Sequence, residues 1–345
     1  MKLEPYSYVL PRERIAQRPA QPPESARLLV ADRGTGEISH TSFARIGDFL
    51  RRGDRLVFNE TKVIPARLFG QGGSDGAAEI EVLLVEQQGP ARWLCMGRPL
   101  WRVRAGATVT FGTALEARVI PSDHVDRVIL EFSSRVPGRH VVGLIQEAGT
   151  MPIPPYIRAG HGDEQDVADY QSIFARQDGS IAAPTASLHF TESLMSLLQR
   201  EPGADVSTVV LHVGTASFQP VVVNGQLRAP ASERFCVSSD TLAEVGATRA
   251  SGGRVVAVGT TVTRALETAV RLPLGAPQGA TELFISPGFE FRAVDALVTN
   301  FHQPGTTHLL LVEALLGRDL LGRCYEEALR EGYRFLSYGD GMLIV

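Results

Sequence analysis

The stretch RVVAVGTTVTRALETAVR, residues 254–271, places a short apolar run, a Gly-Thr-Thr turn and a helical pattern in immediate succession. RVVAV has the length and β-branched composition of a buried strand, and TRALETAVR has apolar residues at helical spacing. The apolar runs SIAA, VSTVVLHV, ELFIS and ALVTN also follow Met151, with helical patterns between most of them. This alternation of strands and helices predicts a mainly parallel sheet in an α/β domain.

A different pattern occupies the segment that begins near Gly70. The runs EIEVLLV, RWLCMG, TVTFG, LEARVI and RVILEF are short, and several alternate apolar and polar residues between glycine, proline and polar turns. No helix-length pattern intervenes until about Val142. Such closely spaced short strands predict a small antiparallel β-barrel. We place this domain at residues 69–149, as an insertion in an α/β domain that comprises residues 1–68 and 150–345.

Composition limits the class of protein. The chain has 345 residues, which favours about two domains, and its formal net charge is −4. Because dedicated nucleic-acid-binding proteins are usually basic, any RNA contact must come from a local patch. Cys95, Cys236 and Cys324 are too far apart for a CxxC metal pair and indicate reduced thiols. Neither a signal peptide nor a membrane span is predicted, so we expect a cytoplasmic protein that does not associate with a membrane.

Four junctions carry most of the glycine, hydroxyl and histidine content of the C-terminal half. PTASLHFT follows SIAA, GTASF follows VVLHV, GTTVTR follows RVVAV, and FHQPGTTH follows ALVTN. Ligand sites in parallel α/β sheets form beyond the carboxyl ends of the strands, so these loops would line one cavity if they share one sheet edge. Loops also collect polar residues without any function.

Three histidines lie in these junctions, and each has two interpretations. His189 precedes Thr191, a good helix N-cap, and is either a general base tuned near neutrality or a structural histidine that hydrogen-bonds the loop. His212 ends a buried-looking strand, where a satisfied core histidine is the alternative. His302 follows Asn300 at another strand end, and the same two interpretations apply to it.

The segment Gly259-Thr260-Thr261 opens a helix, so its backbone N–H groups could hold an anion or a carboxylate. Arg264 and Glu267 are three residues apart on that helix. They are either site residues or partners in a surface ion pair. No dinucleotide-binding G-x-G-x-x-G follows the first strand, and G-x-S-x-G, Walker A and HExxH motifs are absent. The sequence therefore predicts no metal site.

Nine blocks together resemble the S-adenosylmethionine:tRNA ribosyltransferase-isomerase family of queuosine biosynthesis. They are LLVADRGTGEISHTSF, NETKVIPARLFG, MPIPPYI, DYQSIFA, APTASLHFT, LHVGTASFQPV, VAVGTTVTRALE, TNFHQPGTTHLLLV and YRFLSYGDGMLI, in the family order from about residue 27 onward. The resemblance implies an α/β barrel-like main domain with a small antiparallel β-barrel domain inserted in it.

The resemblance also implies an activity. Such an enzyme transfers the ribosyl moiety of S-adenosylmethionine to 7-aminomethyl-7-deazaguanine in tRNA and isomerises it. The products are epoxyqueuosine, adenine and methionine. S-adenosylmethionine is then a co-substrate, no bound cofactor or metal is implied, and tRNA carrying the modified base is the partner. The resemblance further suggests a monomer.

The implied chemistry suggests roles for the candidate residues. A sulfonium acidifies the adjacent 5′ carbon, so His189 or His212 could be the base. The sulfonium also attracts aromatic faces and carboxylates, and the candidates for this contact are Phe190, Phe218, Phe301 and Glu233. Ribose hydroxyls need short polar groups; Asp340 could contact them or simply shape a turn. The candidate catalytic residues are His189, His212, Glu233 and His302. The candidate substrate-binding residues are Asn59, Thr61, Arg67, Pro184, Thr185, Phe190, Gly214, Phe218, Gly259, Thr260, Thr261, Arg264, Glu267, Asn300, Phe301, Tyr338 and Asp340.

The chain departs from the family pattern within four matching loops. Ser187 replaces a glycine, Ala216-Ser217 replaces Gly-Thr, Ala231 replaces a histidine, and Gly305 replaces a lysine. These changes leave open whether the acceptor is tRNA or a small molecule. One alternative is thus a paralog that uses S-adenosylmethionine on a small molecule or cleaves it without tRNA. The other is a non-catalytic ligand- or RNA-binding module on the same fold.

Overall fold

The computed structural model describes residues 8–72, 78–99, 105–123, 126–214, 232–273 and 278–345, and the backbone of residues 222–223 and 226–227. The strands are β1 (Arg27–Ala31), β2 (Ile38–Ser42), β3 (Arg55–Asn59), β4 (Thr61–Val63), β5 (Arg67–Gly72), β6 (Ala78–Gly89), β7 (Arg92–Arg98), β8 (Thr108–Phe111), β9 (Leu115–Ile120), β10 (Val128–Ser134), β11 (Gly149–Thr150), β12 (Gln177–Ser180), β13 (Asp205–Leu211), β14 (Val222–Val223), β15 (Gln226–Leu227), β16 (Glu233–Cys236), β17 (Val255–Val258), β18 (Gln278–Thr281), β19 (Ala296–Asn300) and β20 (Gly341–Ile344). The α-helices are α1 (Val141–Ala148), α2 (Asp166–Asp169), α3 (Glu192–Arg200), α4 (Ser239–Ala250), α5 (Thr260–Ala269), α6 (Thr307–Leu316) and α7 (Arg318–Arg330).

The chain forms two compact units. The main unit comprises Met1–Lys62, Asp169–Asp178 and Ala183–Val345, and the barrel unit comprises Val63–Ala168 and Gly179–Ala182. The predicted insertion, residues 69–149, lies inside the barrel unit but is shorter than it. At its N-terminal side β5, a barrel strand, already begins at Arg67, and at its C-terminal side the unit continues past residue 149 to Ala168 and includes Gly179–Ala182.

The main unit is built on a nine-stranded sheet with the order β18-β16-β13-β3-β17-β19-β20-β1-β2. The central strands β13, β3, β17 and β19 are parallel to one another. Strands β16, β18, β20 and β2 each form antiparallel pairs. The sheet is therefore mixed, and the prediction of a mainly parallel sheet holds for its centre.

The centre of this sheet is buried because apolar residues occupy both faces of its strands. On one face, Phe58 of β3 and Val256 of β17 belong to a core cluster with Phe43 and with Leu194 of α3. Helix α5 packs against the central strands. The continuous apolar run RVVAV thus becomes a strand buried along its whole length, as expected for the middle of an α/β sheet.

The barrel unit contains a closed antiparallel barrel of six strands. The order β5-β6-β7-β10-β9-β8 closes through pairing of Gln71 with Thr110 and of Gly72 with Val109. Its interior is filled by apolar side chains such as Ile80 of β6 and Leu130 of β10. The fold class, an α/β unit with an inserted antiparallel β-barrel, is confirmed.

Two apolar runs are not strands of the main sheet. The run SIAA contributes only Ser180 to β12, which pairs with β4 in a separate two-stranded sheet. The run ELFIS follows β18 and has no regular structure. Short apolar runs lack the periodicity that separates a strand from a buried irregular segment. Among the described helices, none combines the length and apolarity that crossing a membrane requires.

Candidate functional site

The candidate site lies at one edge of the main sheet, where the parallel strands β13, β3, β17 and β19 end. The strand ends at this edge and the segments that follow them carry His212 and Gly214, Asn59 and Thr61, Gly259 to Thr261, and Asn300 to His302. We call it the carboxyl edge. Open α/β sheets bind ligands in the crevice outside this edge. The described parts of three of the four junctions singled out from the sequence therefore come together, the GTASF junction being described only as far as Gly214.

The fourth junction, PTASLHFT, joins them without following a strand of the sheet. Its residues Thr185–His189 form a 3-10 helix. The Thr185 hydroxyl donates to Oδ1 of Asn300 at 2.9 Å, and Nδ2 of Asn300 lies 3.3 Å from Nε2 of His189. Pro184 caps this helix, and its carbonyl accepts from the backbone N–H of Ser187 at 2.9 Å. The loop is thus fixed to the end of β19.

Asn59 is fully buried and connects three segments of the carboxyl edge. Its Nδ2 donates to the Leu211 carbonyl at 2.9 Å and lies 3.3 Å from Thr261 Oγ1. Its Oδ1 accepts from the backbone N–H of Leu211 at 3.0 Å and of Thr61 at 3.1 Å. These contacts use both donors and both lone pairs of the amide. Asn59 therefore organises the edge.

His212 follows β13 directly and is half-buried. Its Nδ1 lies 2.9 Å from Thr61 Oγ1, and no described residue bonds to its Nε2. Burial, with a contribution from Arg234, lowers the pKa of His212 below its ordinary value. The imidazole is neutral at pH 7 and has one ring nitrogen open, which suits a weak base.

His189 is only 4% exposed, and its ring stacks on Phe43 with the centroids 4.5 Å apart. Burial lowers the pKa of His189 to about 4. The expectation of a base tuned near neutrality is therefore corrected, because the enclosed ring disfavours the charged form. The hydrogen bond to Asn300 corresponds to the alternative, a structural histidine.

Glu233 and Arg264 form a buried ion pair. The other carboxylate oxygen of Glu233 accepts from the backbone N–H of Gly214 at 2.9 Å. Arg264 also donates to the carbonyls of Leu283 and Thr281. Arg264 thus pairs with Glu233, in place of the neighbouring Glu267 considered from the sequence. Arg264 compensates the negative charge of Glu233 within the protein, so the Glu233 carboxylate is less suited to bind a sulfonium.

Glu267 is fully buried and has an internal role. Its carboxylate accepts from the backbone N–H groups of Arg292, Ala293 and Val294, and it forms an ion pair with Arg271. The three backbone groups immediately precede β19, whereas Arg271 follows the end of α5. Glu267 therefore holds the segment that leads into β19, and its contacts are those of a structural residue.

Two aromatic candidates lie in the core. Phe190 packs edge-on against Phe43 and Phe58, with centroids 5.0 and 4.8 Å away. Phe301 has no exposed surface and packs against Phe335 with the centroids 5.0 Å apart. The expectation that these rings offer a face to a ligand is corrected, because the surrounding aromatic side chains already cover them.

Asp340 shapes a turn. Its Oδ1 accepts from the backbone N–H of Arg27 at 3.0 Å, and its Oδ2 accepts from that of Arg334 at 2.7 Å. Of the two interpretations left open by the sequence, these contacts favour the structural one. Tyr338 is buried and packs edge-on against Tyr170, with the centroids 5.9 Å apart.

The turn into α5 requires glycine. Gly259 has a φ of +101°, a conformation that side chains disfavour, and its N–H donates to the Val298 carbonyl at 2.8 Å. A Cβ at this position would lie 3.7 Å from Ala186. Thr260 and Thr261 then open α5, whose first N–H groups point to the carboxyl edge.

The remaining predicted residues lie elsewhere or outside the described residues. Arg67 belongs to the barrel unit, where its guanidinium donates to the carbonyls of Gly160 and Ile153. Phe218 lies outside the described residues, as do Ala216, Ser217 and Ala231. Among the residues that are described, no three His, Cys, Asp or Glu side chains are grouped to hold a metal ion.

Two departures from the family pattern can be located. Ser187 is fully buried, and its hydroxyl has no hydrogen-bond partner among the described residues. Gly305 has a φ of +69°, and a Cβ there would meet no atom within 4 Å. Gly305 thus has free space around it, and its φ favours glycine.

His302 follows β19, and the residue beside it, His308, is not among the candidates predicted from the sequence. Its Nε2 lies 2.8 Å from Thr299 Oγ1, and its ring stacks on His308 with the centroids 4.9 Å apart. His308 is the second residue of α6. The pattern FHQPGTTH, with a histidine on either side of a Pro-Gly turn, is the signal that could have identified this pair.

Comparison with known proteins agrees with this architecture. A family model described as "Queuosine biosynthesis protein" matches residues 3–344. The S-adenosylmethionine:tRNA ribosyltransferase-isomerase of Moorella thermoacetica is 44% identical over 349 residues, covering 100% of both chains. The protein of the same name from a Ruegeria species is 45% identical over 356 residues, again covering 100% of both.

A solved structure is also similar. The crystal structure of S-adenosylmethionine tRNA ribosyltransferase from Thermotoga maritima is 36% identical, with a TM-score of 0.56, and covers 99% of this chain and 100% of that one. These matches confirm the resemblance drawn from the nine sequence blocks. The chain belongs to the queuosine biosynthesis protein family.

Proposed function

We propose that this chain is an S-adenosylmethionine:tRNA ribosyltransferase-isomerase of queuosine biosynthesis. Similarity over the full length to relatives of that name carries the proposal. The gathering of polar loops at the carboxyl edge supports it. None of the relatives quoted above is named for a small-molecule acceptor, so that alternative is not favoured, and nor is a non-catalytic binding module.

The reaction joins S-adenosylmethionine to the aminomethyl nitrogen of a 7-deazaguanine in tRNA. A new carbon–nitrogen bond forms between that nitrogen and the ribosyl group. Adenine leaves with the electron pair of the glycosidic bond and takes up a proton, methionine leaves with the pair of the carbon–sulfur bond, and the proton lost by the amine is balanced by release of one proton to solvent. The transferred group is isomerised to an epoxycyclopentanediol. Loss of a proton from the 5′ carbon, next to the positive sulfur, starts this sequence.

His212 is the best placed of the predicted bases. Its Nδ1 is held by Thr61, whereas no described residue occupies its Nε2. A neutral imidazole suffices as a base because the sulfonium makes the adjacent C–H group unusually acidic. The enclosed ring of His189 is better suited to holding Asn300 in place.

The start of α5 offers a place for the carboxylate of the co-substrate. Backbone N–H groups at a helix N-terminus bind anions because they have no partner within the helix. Thr260 and Thr261 begin α5 beside Asn59. We therefore assign the amino-acid part of S-adenosylmethionine to this turn. We also take the enzyme to act as a cytoplasmic monomer, which light scattering coupled to size-exclusion chromatography can test.

One incubation tests the function. The protein is mixed with S-adenosylmethionine, with and without tRNA carrying 7-aminomethyl-7-deazaguanine, and adenine release is followed by chromatography. Release that depends on the tRNA supports the proposal. Release without tRNA would support the small-molecule alternative, and ligand binding without any release would support a non-catalytic module.

His212→Ala is expected to slow the release by about 100-fold, the usual contribution of a general base. The exposed His161 in the barrel unit provides the matched control, and His161→Ala should release adenine at the wild-type rate.

A further inference from the structure

His302 is fixed at both its backbone and its ring. Its backbone N–H donates to the hydroxyl of Tyr325 at 2.9 Å, and its carbonyl accepts from the hydroxyl of Tyr8. Its ring Nε2 lies 2.8 Å from Oγ1 of Thr299, and one ring face is covered by His308 at an interplanar angle of 18°. Four separate segments of the main unit therefore determine where this imidazole lies.

This arrangement leaves one atom of the ring open. No described residue bonds to Nδ1 of His302, while Nε2 faces Thr299. In a neutral imidazole one nitrogen donates and the other accepts. When Nε2 donates to the Thr299 hydroxyl, Nδ1 is the acceptor. The pair of contacts thus specifies both the orientation of the ring and the nitrogen that a ligand can meet.

The segment that carries His302 needs such support. It continues into Pro304 and Gly305, and Gly305 has a φ of +69° with no atom near its Cβ position. A histidine at the start of this turn would have several rotamers available if its backbone and ring were not held. Misplacing a reacting group by about 1 Å can cost roughly 100-fold in rate.

We propose that His308 and Tyr325 are positioning residues for His302, which meets the substrate through Nδ1. This inference rests on the proposed function of the carboxyl edge. His308 fixes the plane of the ring, and Tyr325 fixes the backbone from which the ring extends. Neither residue needs to contact the substrate for its loss to slow the reaction.

The groups that face His302 also influence its titration. They are His308 from α6, Tyr325 from α7 and Tyr8 from the N-terminal segment. Burial and then the charge that His308 would carry lower the pKa of His302 well below its ordinary value. Replacing His308 by a flat uncharged ring keeps the stacking and removes the charge. The pKa of His302 should then rise.

The test measures steady-state adenine release by the full chain with S-adenosylmethionine and the tRNA substrate, at several pH values. His308→Ala and Tyr325→Phe are expected to lower kcat by about tenfold or more with KM changed less than about twofold, because orientation is lost and binding is not. His308→Phe should recover most of kcat, and the acidic limb of its kcat/KM profile should move to higher pH.

Tyr333→Phe is the matched control, since its buried hydroxyl contacts His40 and the Leu28 carbonyl. It should retain the wild-type kcat. Circular dichroism and thermal unfolding confirm that each variant is folded. Tyr325→Phe keeps its ring, so it still tests the inference if His308→Ala does not fold.

An unchanged kcat in both His308→Ala and Tyr325→Phe would overturn the inference. It would also be overturned if kcat fell equally in His308→Ala and His308→Phe and the pH profile of kcat/KM did not shift. Failure of the proposed function looks different, because the wild-type protein would then show no tRNA-dependent adenine release.

Discussion

Thr61 and His212 meet beyond the ends of two neighbouring parallel strands, with Oγ1 of Thr61 2.9 Å from Nδ1 of His212. Thr61→Val keeps the shape of the side chain and removes this contact. The imidazole then loses the partner that fixes its orientation, so kcat for adenine release should fall about tenfold. Thr110→Val in the barrel unit removes a hydroxyl that bonds only a carbonyl 3.3 Å away, and it should have no such effect. If Thr61→Val kept the wild-type kcat, the assignment of His212 as the base would be contradicted.

Stability should decrease in acid partly because of His189. Burial lowers the pKa of His189 to about 4 from 6.5. Between these values the unfolded chain binds more protons than the folded chain, so stability falls as pH decreases from about 6.5. Between pH 7 and pH 5, the free energy of unfolding of His189→Gln should decrease by about 2 kcal/mol less than that of the wild type, as measured by urea unfolding. The exposed His140 supplies the control variant His140→Gln, which should behave like the wild type. Equal losses in all three proteins would contradict the assignment.

Removing the hydroxyl of Ser187 should stabilise the protein. The group is fully buried and has no partner among the described residues, so its desolvation is not compensated. Ser187→Ala is therefore expected to raise the free energy of unfolding by about 1–2 kcal/mol. The buried Ser180 hydroxyl, which donates to the Ala182 carbonyl at 2.9 Å, gives the matched control. Ser180→Ala should be destabilised, and a destabilised Ser187→Ala would mean that this hydroxyl has a partner.

Glu267→Gln should affect folding far more than substrate binding. The amide would turn N–H groups toward the backbone N–H groups of Arg292 and Ala293, and Arg271 would lose its charged partner. The expected destabilisation is about 2–4 kcal/mol in urea unfolding. The KM for S-adenosylmethionine should stay near the wild-type value. Glu192→Gln, at an exposed position of α3, is the control. A raised KM at unchanged stability would place Glu267 at the substrate instead.

The parts of the fold that could be predicted are those with local signals. RVVAV becomes β17 and TRALETAVR becomes part of α5, because strand length and helical spacing are contained within a few residues. The alternating runs after Gly70 likewise become strands of the closed barrel. The order of strands in the main sheet has no such local signal, and the antiparallel pairings at its flanks were not predicted.

The sequence predicted which polar segments gather at one sheet edge, but not which contacts each side chain makes there. Glycine and hydroxyl residues after strands predicted which segments lie at the carboxyl edge, and their function as a site stays a prediction. The partners of those residues are distant in the chain: Arg264 lies 31 positions from Glu233, and Tyr8 lies 294 positions from His302. Contacts of this kind depend on which strands are neighbours. For that reason Glu267 and Asp340 looked like ligand groups in the sequence and have structural contacts in the protein.

The side chain of Asn59 acts as a surrogate peptide group. Its amide pairs with both the N–H and the carbonyl of Leu211, and so replaces the carbonyl and the N–H that two further residues of a parallel strand would supply. A side chain therefore completes the hydrogen bonding between β3 and β13. The main chain can leave the sheet at this point because the backbone groups of Leu211 remain hydrogen-bonded. The barrel unit begins only four residues later, at Val63. The chain can therefore continue into an inserted domain after Asn59 because the hydrogen bonding of β13 does not require further residues of β3.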